Sequence, residues 1–226
     1  MRTRTAPRLS TVDGPRDAPI FHVPFHRRPL LRQIDLSSLP IVGAEHGRIQ
    51  HDGPVTIISA AGSTDAFVPP DGADAVDRLP GLRFTCPSGP WTMSLRVAPD
   101  FGAAFDAGAL MLRGSTGAWA KLAFEQAPDG RPMAVSVVTK DTSDDANGPP
   151  FASQFLNLRA CFTGKAYAFH HSLDGTRWDL LRFFALPGKV FAVDIVAQPP
   201  TGTGCAVRFD QVSTAKNAPE DLRDGT

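Results

Sequence analysis

Apolar and polar residues alternate, or apolar residues run in short blocks, at Val55–Ala60, Trp91–Val97, Ala107–Arg113, Ala118–Glu125, Met133–Lys140, Phe155–Ala160, Ala166–Ser172, Trp178–Phe184, Val190–Ala197 and Cys205–Gln211. A period of two, bounded by turn formers, marks a β-strand. The separators are of that kind: Ala98-Pro-Asp-Phe-Gly102, Gly114-Ser-Thr-Gly117, Pro128-Asp-Gly130, Asp174-Gly175, Pro187-Gly188 and Pro199-Pro-Thr-Gly-Thr-Gly204. No window carries an apolar helical stripe with caps. The pattern therefore predicts an all-β domain, a sandwich of antiparallel sheets.

The two ends break the pattern. Residues 1–32 hold seven Arg against two Asp, with five Pro and little apolar periodicity. Such a segment cannot offset the entropy of its own ordering, so it reads as a flexible basic tail. Residues 216–226 are polar and read as a second flexible tail, which leaves 33–215 for the sandwich. Over the whole chain Lys+Arg and Asp+Glu are both 23, a balance that argues against a nucleic-acid partner. No apolar stretch is long enough to span a bilayer, and no apolar core follows the N-terminal charges as a signal peptide requires. Cys86, Cys161 and Cys205 are odd in number and far apart, so neither a disulfide framework nor a zinc site is expected. The expectation is a cytoplasmic protein, with no membrane partner and no cofactor. The six His lack metal-binding spacing, and no dinucleotide, phosphate-loop or serine-hydrolase motif appears.

Strand parity locates the candidate chemistry, because successive side chains point to opposite faces. Ala120, Leu122 and Phe124 form one face of their strand, and Trp119, Lys121 and Glu125 the other. Leu156, Leu158 and Ala160 set Asn157 and Arg159 on the far side of theirs. Tyr167 and Phe169 leave His170 outward, and Phe191, Val193 and Ile195 leave Asp194 outward. If one sheet carries these strands, its outer face bears Trp119, Lys121, Glu125, Arg159, His170 and Asp194. An aromatic platform amid hydrogen-bonding groups suits a carbohydrate or other small-molecule ligand. A solvated face with cross-strand ion pairs accounts for the same residues.

Several segments in order carry a resemblance: Asp106-x-Gly108-x-x-Met111, Trp119-x-Lys121-x-x-x-Glu125, Ser136-Val-Val-Thr139, Ser143-Asp144, Leu158-Arg159 and Ser172-x-Asp174-Gly175-x-x-Trp178. Ser63-Thr-Asp65-Ala-Phe67 and Ala197-Gln-Pro-Pro-Thr-Gly202 extend it over roughly Asp52 to Val212. The chain resembles the domain-of-unknown-function 1349 family (regulation-of-enolase-like). Pro199 departs from it, standing where the family tends to have Ser. The resemblance implies a concanavalin A-like lectin/glucanase fold, a jelly-roll sandwich, and no defined activity. Three readings stay open: a lectin-like carbohydrate-binding protein on the polar outer face, a carbohydrate-active hydrolase or lyase with Glu125 or His170 as general base, and a regulatory protein-interaction module.

Glucanases of this superfold carry paired acids two residues apart on one strand, and Glu125 has no acid at that spacing. Ser172-Leu-Asp174-Gly175-Thr-Arg-Trp178 resembles the Asp-box hairpin of sialidases and is expected to close a turn over a packed Trp. Asp141, Ser143 and Asp145 alternate oxygen ligands as calcium loops do, but Ala152 stands where the bidentate Glu would be.

Overall fold

The structure, a computed structural model, describes residues 31–225. The basic segment up to residue 30 lies outside the described residues. Every one of the ten expected strands is present, and seven more complete the sheets. In chain order they are β1 (Arg32–Gln33), β2 (Ile41–Val42), β3 (Gly47–Asp52), β4 (Val55–Ala61), β5 (Asp65–Phe67), β6 (Val76–Arg78), β7 (Gly81–Thr85), β8 (Trp91–Pro99) and β9 (Ala107–Gly114). There follow β10 (Trp119–Gln126), β11 (Pro132–Thr139), β12 (Ser143–Pro150), β13 (Leu156–Phe162), β14 (Tyr167–Ser172), β15 (Asp179–Phe184), β16 (Val190–Gln198) and β17 (Gly204–Ala215). Helix is confined to single 3-10 turns at Leu36–Ser38 and Ala44–His46. No helix among the described residues is long and apolar enough to cross a membrane.

The strands form two antiparallel sheets. One runs β15-β14-β13-β8-β17-β4-β3, with β1 also paired to β17, and the other runs β12-β11-β10-β9-β16-β7-β2. Their inner faces meet as the alternation requires. Leu110, Leu112, Leu122, Phe124, Val193 and Ile195 of the seven-stranded sheet pack against Met93, Leu95, Leu158, Phe169, Val207 and Phe209 of the eight-stranded one. Gly108 sits where the sheets approach most closely: a Cβ there would lie 2.4 Å from the side chains of both Val97 and Val207.

The two outer faces differ, and that difference decides where a site can lie. The seven-stranded sheet is apolar on its outer side as well. Ala107, Ala109, Met111, Trp119, Ala123, Val135 and Val137 form a second cluster there, with Ala66, Phe67 and Val68 of the β5 segment packed on it. Sheets covered on both faces read as continuous apolar runs, as β9 and β10 do. The eight-stranded sheet instead turns Thr92, Ser94, Asn157, Arg159, His170, Ser172 and Ser213 away from its core.

Residues expected as a calcium-like loop form an edge strand. Asp144 and Asp145 of β12 pair with Val138 and Val137. Ser143 spends its hydroxyl on Thr139 Oγ1 at 2.8 Å and on the Val68 N–H at 2.9 Å. Asp141 lies in the turn before β12. No group of three or more His, Cys, Asp or Glu placed to hold a metal occurs among the described residues.

Candidate functional site

The six residues expected on one outer face divide between two sheets. Trp119, Lys121, Glu125 and Asp194 stand on the outer side of the seven-stranded sheet, whereas Arg159 and His170 belong to the eight-stranded one. The parity of each strand is as read, but β13 and β14 join β8 and not β10.

On the seven-stranded sheet the expected ligand groups are committed to the protein itself. Trp119 is 5% exposed beneath the β5–β6 layer, so it is packed and does not offer an open stacking platform. Lys121 is buried, and its Nζ donates to Asp65 Oδ1 at 3.0 Å, Ala66 O at 3.0 Å and Gln198 Oε1 at 2.7 Å. Those three acceptors use all three ammonium protons. Asp194 is fully buried and takes the fork of Arg83 at 2.7 and 2.8 Å, with Arg113 Nε at 3.0 Å. Arg113 reaches on to Asp77 of β6 at 2.7 and 3.0 Å. Lys121 and Arg113 thus pin the hairpin β5–β6 over the sheet. Glu125 keeps some exposure, and desolvation raises its carboxyl to about 7 against the opposing pull of Lys121, with Asp65 and Asp145 adding to the rise.

The eight-stranded sheet carries a pocket of about 410 Å³ on its outer side. Its floor is polar: Thr92 and Ser94 of β8, Asn157 and Arg159 of β13, and Ser213 of β17. Ser94 and Ser213 hydrogen-bond across the strands at 2.9 Å, and Asn157 Nδ2 donates to Ser172 O at 3.1 Å. The Arg159 guanidinium lies 4.6 Å from the Trp178 ring centroid, and burial lowers its pKa to about 10. Trp178 is delivered by the hairpin after β14, which folds as its sequence predicts. Asp174 Oδ1 accepts from the Thr176 and Arg177 N–H groups at 2.7 and 2.8 Å, and Gly175 sits at φ 70°. Those backbone donors hold the Asp174 carboxyl well below the usual carboxylate range.

The rim supplies uncommitted groups. Gln33, Gln211 and Glu220 line the pocket, and their side chains make no hydrogen bond among the described residues. Gln211 occupies the left-handed region at φ 52°, where the register of β17 against β8 slips between Asp210 and Ser213. A bulge of this kind re-aims a side chain, and a non-glycine residue held in that region marks strain kept at a site.

The C-terminal residues, polar as expected, lie along this same face. Thr92 Oγ1 donates to Asn217 O at 2.7 Å, His170 Nε2 meets Leu222 O at 3.0 Å, and the Trp178 N–H donates to Gly225 O at 3.0 Å. His170 is 0% exposed under this strap, and burial together with the Arg159 charge lowers its pKa to about 3. A carbonyl can only accept, so Nε2 carries the ring proton, and Nδ1 presents a lone pair that meets no donor. Glu125 and His170, the two general-base candidates, face outward from opposite sides of the sandwich and cannot act on one substrate.

Fold and pocket together define a concanavalin A-like β-sandwich with one polar, pocketed outer face and one sealed by a hairpin. The chain belongs to the family described as Protein of unknown function (DUF1349), which matches residues 45–217. It is similar to a functionally unknown protein from Saccharomyces cerevisiae, at 21% identity and TM-score 0.71, over 83% of this chain and 100% of that one. It is also similar in fold to a xylan β-1,4-xylosidase from Bacillus halodurans C-125, at 11% identity and TM-score 0.54, over 85% of this chain and 40% of the enzyme. A bifunctional GH43-CE protein of Bacteroides eggerthii aligns at 12% identity and TM-score 0.53, over 72% of this chain and 22% of that one. The chain therefore spans less than half the length of either of these two. No curated protein matches it.

Proposed function

We propose that the protein binds a saccharide in the pocket on the outer side of its eight-stranded sheet. The observation that carries this reading is the pocket's pairing of a sugar-sized volume with uncommitted hydrogen-bonding side chains. Gln33, Gln211 and Glu220 ring a polar floor beside Arg159 and Trp178. Sugar hydroxyls donate and accept at once, and amide side chains answer both needs. The occurrence of similar sandwiches within carbohydrate-acting proteins supports the ligand class by analogy of fold. A cytoplasmic location fits three free, buried cysteines, whose thiols burial pushes up to about 12 for Cys86 and Cys205 and about 11 for Cys161.

A glycan array probed with the full chain, followed by calorimetry on each hit, tests the proposal. Gln211→Gly is the diagnostic variant. Glycine relieves the left-handed backbone, worth about 1 kcal/mol, while removing the rim amide, so saccharide affinity should fall tenfold or more in a protein at least as stable. Unchanged affinity in that variant, or an array without hits, refutes the reading.

A further inference from the structure

The pocket does not end the polar surface. Beyond Arg159 the floor continues to His170 and Ser172, 0% and 1% exposed, with residues 217–225 laid across it. A permanent cover would be expected to bury apolar side chains against apolar ones, because buried polar groups cost stability unless fully paired. Here neither side meets that description. No side chain from 216 to 225 is buried, and Leu222 is only half-buried. The strap is held through three of its backbone carbonyls, those of Asn217, Leu222 and Gly225. Such hydrogen bonds are individually modest and do not depend on which side chains the strap carries. Beneath it His170 Nδ1 keeps an acceptor site without a donor.

We infer that residues 217–225 are a displaceable cover, and that His170 and Arg159 beneath them form a second subsite through which a longer saccharide continues from the open pocket. This extension rests on the saccharide reading above. Lifting the strap frees the Nε2–H of His170 from Leu222 O, so the neutral ring offers one donor and one acceptor to a hydroxyl. It also frees Thr92 Oγ1, which already lines the pocket, so the two halves meet at that residue. Asp224 leaves the neighbourhood of Arg159 and His170 with the strap.

The test uses the full chain and each array hit, supplied as a free tetrasaccharide and as the methyl glycoside of its terminal sugar. The tetrasaccharide should bind at least tenfold tighter and shift the His170 ring nitrogens in NMR spectra, whereas the monosaccharide leaves them in place. His170→Gln should abolish the tetrasaccharide's advantage without changing monosaccharide affinity. Equal affinities with an unmoved ring overturn the second subsite while leaving the open pocket's reading intact. An array without hits overturns both. The cover is also read without ligand, through carbethoxylation of His170 by diethyl pyrocarbonate. Thr92→Val, which deletes the bond to Asn217 O, should speed modification of His170 about tenfold relative to His171, which packs on Phe151 at 5.1 Å between centroids. Equal acceleration of the two rings, or none, overturns the displaceable cover.

Discussion

His170 should make the protein acid-sensitive by an amount that the structure sets. The ring faces the Arg159 cation, the neighbouring His171, the Asp224 carboxylate and Leu222 O, and its pKa falls from the ordinary 6.5 to about 3, chiefly through burial. The unfolded chain takes up this proton below about pH 6.5, whereas the folded one refuses it until near pH 3. Stability is thus lost as the pH falls through that window, at up to about 1.4 kcal/mol per unit. Between pH 6.5 and 4.5 the integrated loss is about 2 kcal/mol, since protonation of the unfolded chain is only half complete at the upper limit. Replacing the ring by His170→Gln removes this contribution and leaves His171 titrating in both proteins. Urea unfolding of wild type and variant at pH 6.5, 5.5 and 4.5, with equal slopes against denaturant, isolates the difference. The stability of wild type relative to the variant should shrink by about 2 kcal/mol across the range. Parallel profiles would mean that the ring is not desolvated, and the strap would then not cover it.

Glu125 should act with the opposite sign. Its folded carboxyl titrates near 7, above its ordinary 4.5, so it destabilises as the pH rises through that interval. Glu125→Gln should gain about 1–2 kcal/mol on wild type between pH 4.5 and 7 in the same unfolding assay, after allowance for its partial exposure. Trp119→Ala should cost about 3–5 kcal/mol by calorimetry or urea midpoint, as for an emptied aromatic core position; a loss under 1 kcal/mol would contradict its burial. Lys121→Leu should cost about 3 kcal/mol, because Asp65, Ala66 O and Gln198 lose their shared donor. It should also raise protease cleavage between Asp65 and Arg78 as the hairpin loosens.

Much of the sandwich was legible because its long strands alternate cleanly. The face assignments within β10, β13, β14 and β16 follow from residue parity alone, and the structure keeps them. Sheet membership does not follow from parity. Arg159 and His170 joined Trp119 on paper only because nothing local tells β13 to pair with β8. The burial of Trp119 was equally hidden, since its cover is a pair of three-residue strands with no alternation long enough to read. β12 escaped because Ser-Asp-Asp-Ala-Asn-Gly-Pro-Pro has no apolar face, and as an edge strand it pairs on one side only, with β11. The pocket was missed for a related reason. The run ending at Gln211 looks like a strand stopping there, whereas β17 bulges and continues to Ala215, and a bulge centred on Gln carries no glycine to announce it. Trp178 had been assigned wholly to the hairpin it closes, yet the same ring walls the pocket.

The last two strands lie in the middle of their sheets. β17 is flanked by β8 and β4, and β16 by β9 and β7, so each sheet consists of an early half and a later half joined only by a strand from the end of the sandwich. Until residues 190–215 have emerged from the ribosome, β4 and β8 in one layer and β7 and β9 in the other each present an unpaired backbone edge beside apolar side chains. Neither sheet can zip from its own nucleus to its far side. The protein must hold four sticky edges apart until two closing insertions are made, a topology in which slow, late assembly and exposure to mispairing come with the strand order itself.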